Sequence, residues 1–290
     1  MKKIGFIGVG IMGKSMVRNL MKAGYELHIY ARNKAKVEDV ICEGALFHES
    51  IKECVADCEA VITIVGFPQD VEEVYFDAEH IMDCAKEGAY LIDMTTTSPL
   101  LAEKLYKVGK EKGYRVMDAP VTGGDTGAKA GTLSILVGGD REDFDACMPV
   151  FEAMGKDITY FGKAGSGQHA KMANQIMIAG TLSGVCEALA YAKAKELDVP
   201  TLVDAVSGGA AGSWQLKSQA PKILKEDYEP GFMIRHFVKD MKLALMEGNR
   251  SGLSLEVLSQ VLSIFEELEA EGYGELGTQG LMKYYTQMED

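Results

Sequence analysis

The chain has 290 residues and a formal charge of −13, from 43 acidic and 30 basic side chains. At 47% hydrophobic, a chain of this length outgrows a typical single core and fits two domains. The acidic balance repels phosphate backbones and anionic lipid headgroups, which argues against nucleic acid and membrane surfaces as partners.

Cys42, Cys54, Cys58, Cys84, Cys147 and Cys186 form no CxxC pair, and the five histidines do not cluster with them. This reads as reduced, mostly buried thiols and no metal site. The opening MKKIGFIGVGIMG resembles a signal peptide, but Lys14 and Arg18 soon interrupt the apolar run and no cleavage site follows. No apolar stretch approaches the roughly 20 residues of a membrane span. The expectation is a cytoplasmic protein.

Strand and helix patterns alternate through the first half. KIGFIG reads as a strand, IMGKSMVRNLMKAG as a helix ending at Gly24, and YELHIY as a second strand. AVITIV (60–65) is continuously apolar, as expected of a strand buried on both faces, and AYLIDM is similar. Ser98 suits a helix N-cap, with Pro99 at the first helical position. YRVMDAP and LSILVGG add two strands. The alternation predicts an α/β fold, a doubly wound parallel sheet with helices on both faces. From about residue 164 strand patterns nearly vanish. GQHAKMANQIMIAGTLSGVCEALAYAKAKEL is apolar nearly all round and predicts a long buried helix opening an all-α domain. The expected domains are 1–163 and 164–290.

Gly8-x-Gly10-x-x-Gly13 stands between the first strand and the first helix. In a dinucleotide fold the first glycine permits the tight turn, the second admits a pyrophosphate to the backbone, and the third lets helix and strand pack closely. The N–H groups at the helix start, at Ile11, Met12 and Gly13, would hold the phosphates. The end of the second strand should then report on the ribose. NAD enzymes usually place an acid there, whereas this chain has Tyr30, Ala31, Arg32 and Asn33, with Lys34 and Lys36 close by. An arginine at that point suits a 2′-phosphate, so the predicted cofactor is NADP, with NAD as the alternative.

A second glycine-rich stretch, DAPVTGGDTGAKAGTLSILVGG, starts at Asp118. Thr122, Gly123 and Gly124 would form a nest of N–H groups for a carboxylate, against the simpler reading of a flexible connector. GSGQHAKMANQ then opens the long helix. Lys171 and Asn174 are three apart and share a face. A lysine on an apolar helix is costly to bury, and a buried one has a lowered pKa suited to proton transfer near neutrality. The plainer reading is a lysine that reaches solvent near the helix start.

Together, GFIGVGIMG, DAPVTGG, KMANQ and KDMKLAL resemble the β-hydroxyacid dehydrogenase family over nearly the whole chain. That family includes 3-hydroxyisobutyrate dehydrogenase, tartronate semialdehyde reductase and the glyoxylate/succinic semialdehyde reductases. The resemblance implies that Lys171 is the catalytic acid/base. It gives Thr122, Gly123 and Gly124 the substrate carboxylate and Asn174 a hold on the substrate. Lys239, steadied by Asp240, would stand by cofactor and substrate, and Thr96 on the nicotinamide side. Thr122 stands where serine is commoner. Gln175 stands where many members carry a second asparagine, and there the chain resembles the tartronate semialdehyde reductases.

The expected activity is hydride transfer between NADP(H) and a short 3-hydroxy acid or semialdehyde acid, first of the 3-hydroxyisobutyrate type. Alternatives are 2-hydroxy-3-oxopropionate, glyoxylate or succinic semialdehyde reduction, or a non-catalytic nucleotide-binding module, which the presence of Lys171 and Asn174 counts against. An imine reductase is a further rival, and its relatives usually lack this lysine. The only tryptophan, Trp214, and Phe232 either line the pocket or pack in the helical core. His169 is a less favoured rival to the lysine. The helical half suggests a homodimer or homotetramer.

Overall fold

The computed structural model describes residues 1–286. β1 (Lys3–Ile7) leads through α1 (Ile11–Lys22) to β2 (Glu26–Tyr30). Then come α2 (Glu38–Cys42), β3 (Leu46–Phe47), α3 (Ile51–Val55), β4 (Ala60–Thr63), α4 (Pro68–Phe76) and α5 (Ile81–Cys84). β5 (Tyr90–Asp93), α6 (Pro99–Glu111) and β6 (Arg115–Asp118) follow. β7 (Val121–Thr122), α7 (Gly124–Ala130), β8 (Leu133–Gly138), α8 (Arg141–Glu152) and β9 (Gly155–Gly162) complete the sheet.

The strand order is β3-β2-β1-β4-β5-β6-β8-β7, with β9 paired to β8. The run from β3 to β6 is parallel. Its apolar runs are buried on both faces because successive side chains point to opposite sides of a strand. Ile4, Phe6, Ile62, Ile92 and Met117 enter one core, and Ile7, Val61, Leu91 and Val116 enter the other. Beyond β6 the direction changes, since β8 runs antiparallel to both β6 and β7. The expected parallel sheet is therefore extended by a mixed edge. β3, β7 and β9 have no counterpart among the predicted strands. β9 alternates exposed and half-buried residues and lacks the apolar run that marks an inner strand.

Predicted local signals hold where the chemistry is local. The Ser98 side chain accepts a hydrogen bond from Leu101 N–H at 3.0 Å, and Pro99 opens α6. All six cysteines are free thiols, and burial pushes Cys58, Cys147 and Cys186 up to about 12, which keeps them protonated and inert.

The second unit is helical: α9 (Ser166–Ala194), α10 (Val199–Val206), α11 (Trp214–Leu224), α12 (Ile234–Arg250), α13 (Glu256–Ala270) and α14 (Met282–Thr286). Leu182, Cys186 and Leu189 of α9 share its core with Phe237, Met241 and Phe265. Among the described residues α9 is long and apolar enough to cross a membrane by length and composition, which corrects the expectation that no stretch is. The apolar length serves this core, and 44% of its most apolar window is buried there.

The two compact units divide between Lys171 and Met172, inside α9 and eight residues past the boundary expected after residue 163. The first turn of α9 belongs to the sheet unit because Gly165 N–H and Gln168 N–H both donate to the buried Asp118 carboxylate at the end of β6, each at 2.8 Å.

Candidate functional site

The three glycines after β1 differ in what surrounds them. Gly8 has a φ of +98°, and a Cβ there would lie 2.0 Å from the Ile64 carbonyl oxygen. A Cβ on Gly13 would lie 2.1 Å from the Gly8 carbonyl oxygen. Both glycines are therefore required by packing alone. A Cβ on Gly10 would meet nothing within 4 Å. That space lies at the start of α1, whose first turn, Ile11 to Gly13, has no acidic residue and no side-chain cap. Open room beside free N–H groups at the positive end of a helix fits a dinucleotide pyrophosphate.

At the end of β2, Ala31 is half-buried and Arg32 and Asn33 are exposed. The Arg32 guanidinium is paired with two acids of α4, Asp70 at 2.7 Å and Glu73 at 3.1 Å, and Asp70 also accepts from Phe67 N–H at 3.0 Å. The hydrogen bond to Asp70 raises the Arg32 pKa further. A 2′-phosphate would have to share the guanidinium with these carboxylates, a competition invisible in the local sequence.

The ends of β4, β5 and β6 are knitted together by buried polar groups. Asp93 accepts from Thr63 Oγ1 at 2.8 Å and from Thr95 N–H at 3.1 Å. Burial pushes its carboxyl up to about 6, although the hydrogen bonds from Thr95 and Thr63 pull the other way. Thr95 Oγ1 accepts from Val65 N–H at 3.0 Å. Thr95 and Thr97 are buried, and Thr96 between them is half-buried. Gln168 joins this loop, accepting from Thr97 N–H at 3.0 Å and donating to the Thr95 carbonyl at 2.7 Å. One turn further along α9 stands Lys171, only 6% exposed, so the sequence alternative of a solvent-reaching lysine does not hold. Thr122 ends β7, and Gly123 and Gly124 follow with φ of +126° and +62°. The segment expected as a loop is a strand end entering α7, with both glycines at positive φ. All of these groups lie at the carboxyl ends of the sheet strands or beside them, where open α/β sheets bind ligands.

In the helical unit a second polar chain is buried. Asn174 Nδ2 donates to Gln175 Oε1 at 2.8 Å, and Gln175 Nε2 donates to Asp240 Oδ2 at 2.7 Å. Asp240 forms an ion pair with Lys239 at 3.0 Å. Gln175 thus keeps Asn174 oriented by taking one of its amide hydrogens, and Asp240 steadies both Gln175 and Lys239. Trp214 is 62% exposed at the start of α11 and so does not belong to the core. Phe232 is half-buried and packs edge-on to Phe237, centroids 5.7 Å apart, on the core side. His169 is exposed. Among the described residues no group of three His, Cys, Asp or Glu side chains is arranged to hold a metal ion.

Residues 3–162 match the family model described as the NAD-binding domain of 6-phosphogluconate dehydrogenase. Residues 165–285 match the one described as the NAD-binding domain of NADP-dependent 3-hydroxyisobutyrate dehydrogenase. The chain belongs to the β-hydroxyacid dehydrogenase family. This makes it an NAD(P)-dependent oxidoreductase with a Rossmann-type sheet and a helical second unit. Within the family, it is 48% identical to an oxidoreductase of Bacillus subtilis (strain 168), YkwC, covering 98% of this chain and 99% of that one. It is 34% identical to 2-hydroxy-3-oxopropionate reductase of Escherichia coli (strain K12), covering 97% and 96%. The Mycobacterium tuberculosis 3-hydroxyisobutyrate dehydrogenase structure with L-serine superposes with a TM-score of 0.88 at 28% identity, covering 98% of each chain.

Sequence reasoning gave no structural role to three buried polar residues of this dehydrogenase. Gln168 and Asp118 anchor the turn below Lys171, and Gln175 bridges Asn174 to Asp240. For Gln175 a signal existed, a polar side chain in a helix otherwise apolar nearly all round.

Proposed function

We propose that this dehydrogenase reversibly reduces a short semialdehyde acid to a hydroxy acid, preferring NADP(H), with Lys171 as general acid and base. The observation that carries the reading is Lys171 itself, an amine 6% exposed on a helical turn tied to the ends of β5 and β6. Burying a lysine that far from water is costly, which supports a role for it in proton transfer.

The nicotinamide cofactor, when bound, supplies the hydride in reduction and accepts it in oxidation. The N–H groups at Ile11 to Gly13 would hold its phosphates in the room beside Gly10, Arg32 would take a 2′-phosphate, and Thr96 would flank the nicotinamide side. Lys171 gives its proton to the carbonyl oxygen as negative charge grows there. In the reverse direction the neutral amine takes the hydroxyl proton. Thr122, Gly123 and Gly124 hold the substrate carboxylate, which fixes the carbonyl and lowers the entropic barrier. Asn174 and Lys239 orient the rest of the substrate.

The first substrate to test is the aldehyde of 3-hydroxyisobutyrate. Gln175, in the position where many family members carry asparagine, favours 2-hydroxy-3-oxopropionate as the second. The candidates differ by one or two carbons or a hydroxyl, which an apolar pocket separates by about 1–3 kcal/mol. A panel of these aldehyde acids, with glyoxylate and succinic semialdehyde, assayed with NADPH and NADH, tests substrate and cofactor together. Lys171→Ala should bind cofactor as the parent does and turn over on the order of 10²–10⁴ times more slowly. Turnover near the parent's would remove the lysine from the reaction.

A further inference from the structure

The mechanism above leaves one fully buried side chain without a task. Gln168 is 0% exposed and stands three residues before Lys171 on α9. Its amide spends its acceptor and a donor on a single loop, at Thr97 N–H and the Thr95 carbonyl. Its backbone N–H goes elsewhere, to Asp118 Oδ2, while Gly165 N–H takes Oδ1. Asp118 serves the start of the helix as a capping acid does. The side-chain amide adds a second anchor on a different strand end.

The core contacts of α9 begin beyond Lys171, at Met172, Ala179 and Leu182, so its first turn is held to the sheet unit at two strand ends, by Asp118 and by the Gln168 amide. A long helical side chain lies back over the turn that precedes it, so the Lys171 stem runs over the turn that Gln168 grips. Rotating a helix by about 10° would swing an amine roughly 8 Å from its axis by about 1.4 Å. A misplacement of about 1 Å is enough to cost on the order of 10²-fold in rate. The gripped loop is itself tied to the sheet, since Thr95 accepts from Val65 N–H and donates its own N–H to Asp93. It also carries Thr96, between the two residues that Gln168 binds.

We propose that Gln168 is a positioning residue for the reaction: its amide locks the first turn of α9 to the Thr95–Thr97 loop and so fixes where the Lys171 amine stands relative to that loop. The proposal rests on the reading of Lys171 as general acid and base.

Two variants and a control test it. Gln168→Leu removes both amide bonds at similar bulk. Gln168→Glu keeps an acceptor for Thr97 N–H, loses the donor to Thr95, and puts a carboxylate one turn from the amine. For each, kcat is measured per cofactor-binding site, the cofactor Kd by fluorescence titration, and the oxidation rate against pH. In Gln168→Leu, kcat should fall ten-fold or more while the cofactor Kd stays within three-fold. In Gln168→Glu, the pH at which oxidation switches on should rise, because a nearby carboxylate favours the ammonium form. If the leucine variant does not fold, the glutamate variant decides. A merely structural glutamine would lower Tm and the fraction of sites binding cofactor, and would leave turnover per site and the pH midpoint unchanged. That result overturns the proposal. The Lys171→Ala control separates the two failures: a dead control with normal Gln168 variants removes only the positioning role, and an active control removes both.

Discussion

Glycine is chemically identical at positions 8, 10 and 13, and the surroundings assign each a different cost of change. At Gly8 an added methyl meets the Ile64 carbonyl at 2.0 Å in a backbone with φ of +98°. Gly8→Ala should destabilise the protein by at least about 1–3 kcal/mol from the backbone conformation alone. At Gly10 the methyl meets nothing, and φ is −87°. Gly10→Ala should melt within about 0.5 kcal/mol of the parent and yet bind the dinucleotide more weakly. Denaturant melts and cofactor titrations on the two variants should separate in this way. A Gly10→Ala protein with parental cofactor affinity would mean that nothing approaches that backbone. Arg32 makes the same point about charge. The sequence displays a free cation after β2, and the fold pairs it with Asp70 and Glu73, some 40 residues away.

At the scale of elements, the strand ends are joined by acids out of water. Asp93 closes β5 with its carboxyl pushed up to about 6 by burial. In the unfolded chain an aspartate releases its proton near pH 3.9, so between about pH 4 and 6 the folded state holds a proton that the unfolded state has lost. Stability from this group is complete below the unfolded value and declines as pH rises through the folded one. Asp93→Asn keeps an acceptor for Thr63 and Thr95 and cannot ionise. The Tm of the parent relative to Asp93→Asn should therefore fall from pH 4 to pH 6 and level off by pH 7. Parallel Tm curves over that range would show that Asp93 does not titrate there. The helices after β6 illustrate a different limit. α9 reads correctly as a long helix but is buried on one side only, and its first turn is bound to the sheet unit by Asp118 and Gln168, a connection made across 47 to 73 residues.

At the scale of the whole molecule, Met177, Thr181, Gly184, Ala188 and Tyr191 recur at helical spacing along α9 and are all exposed, Met177 at 63% and Tyr191 at 65%. An exposed stripe of small and apolar residues on a long helix supports the homodimer or homotetramer proposed from the sequence. Light scattering should report two or four chains per particle, and a monomer at micromolar concentration would end that reading. Much of each unit's architecture is legible beforehand. Continuous apolar runs such as AVITIV mark inner strands, and Ser98-Pro99 marks a helix start. β9 escapes because an edge strand alternates too weakly, and β7 because two residues carry no period.

The sequence alone determines what neighbouring residues decide among themselves: backbone freedom at glycine, the period of burial along each element, the cap of α6, and with these the doubly wound sheet and the helical second unit. Tertiary structure alone decides which glycine faces open space, which cation is already paired, and which amide grips the turn below Lys171. Those outcomes depend on groups dozens of residues apart meeting within 3 Å, and no local pattern encodes a distance between strands that the chain has not yet brought together.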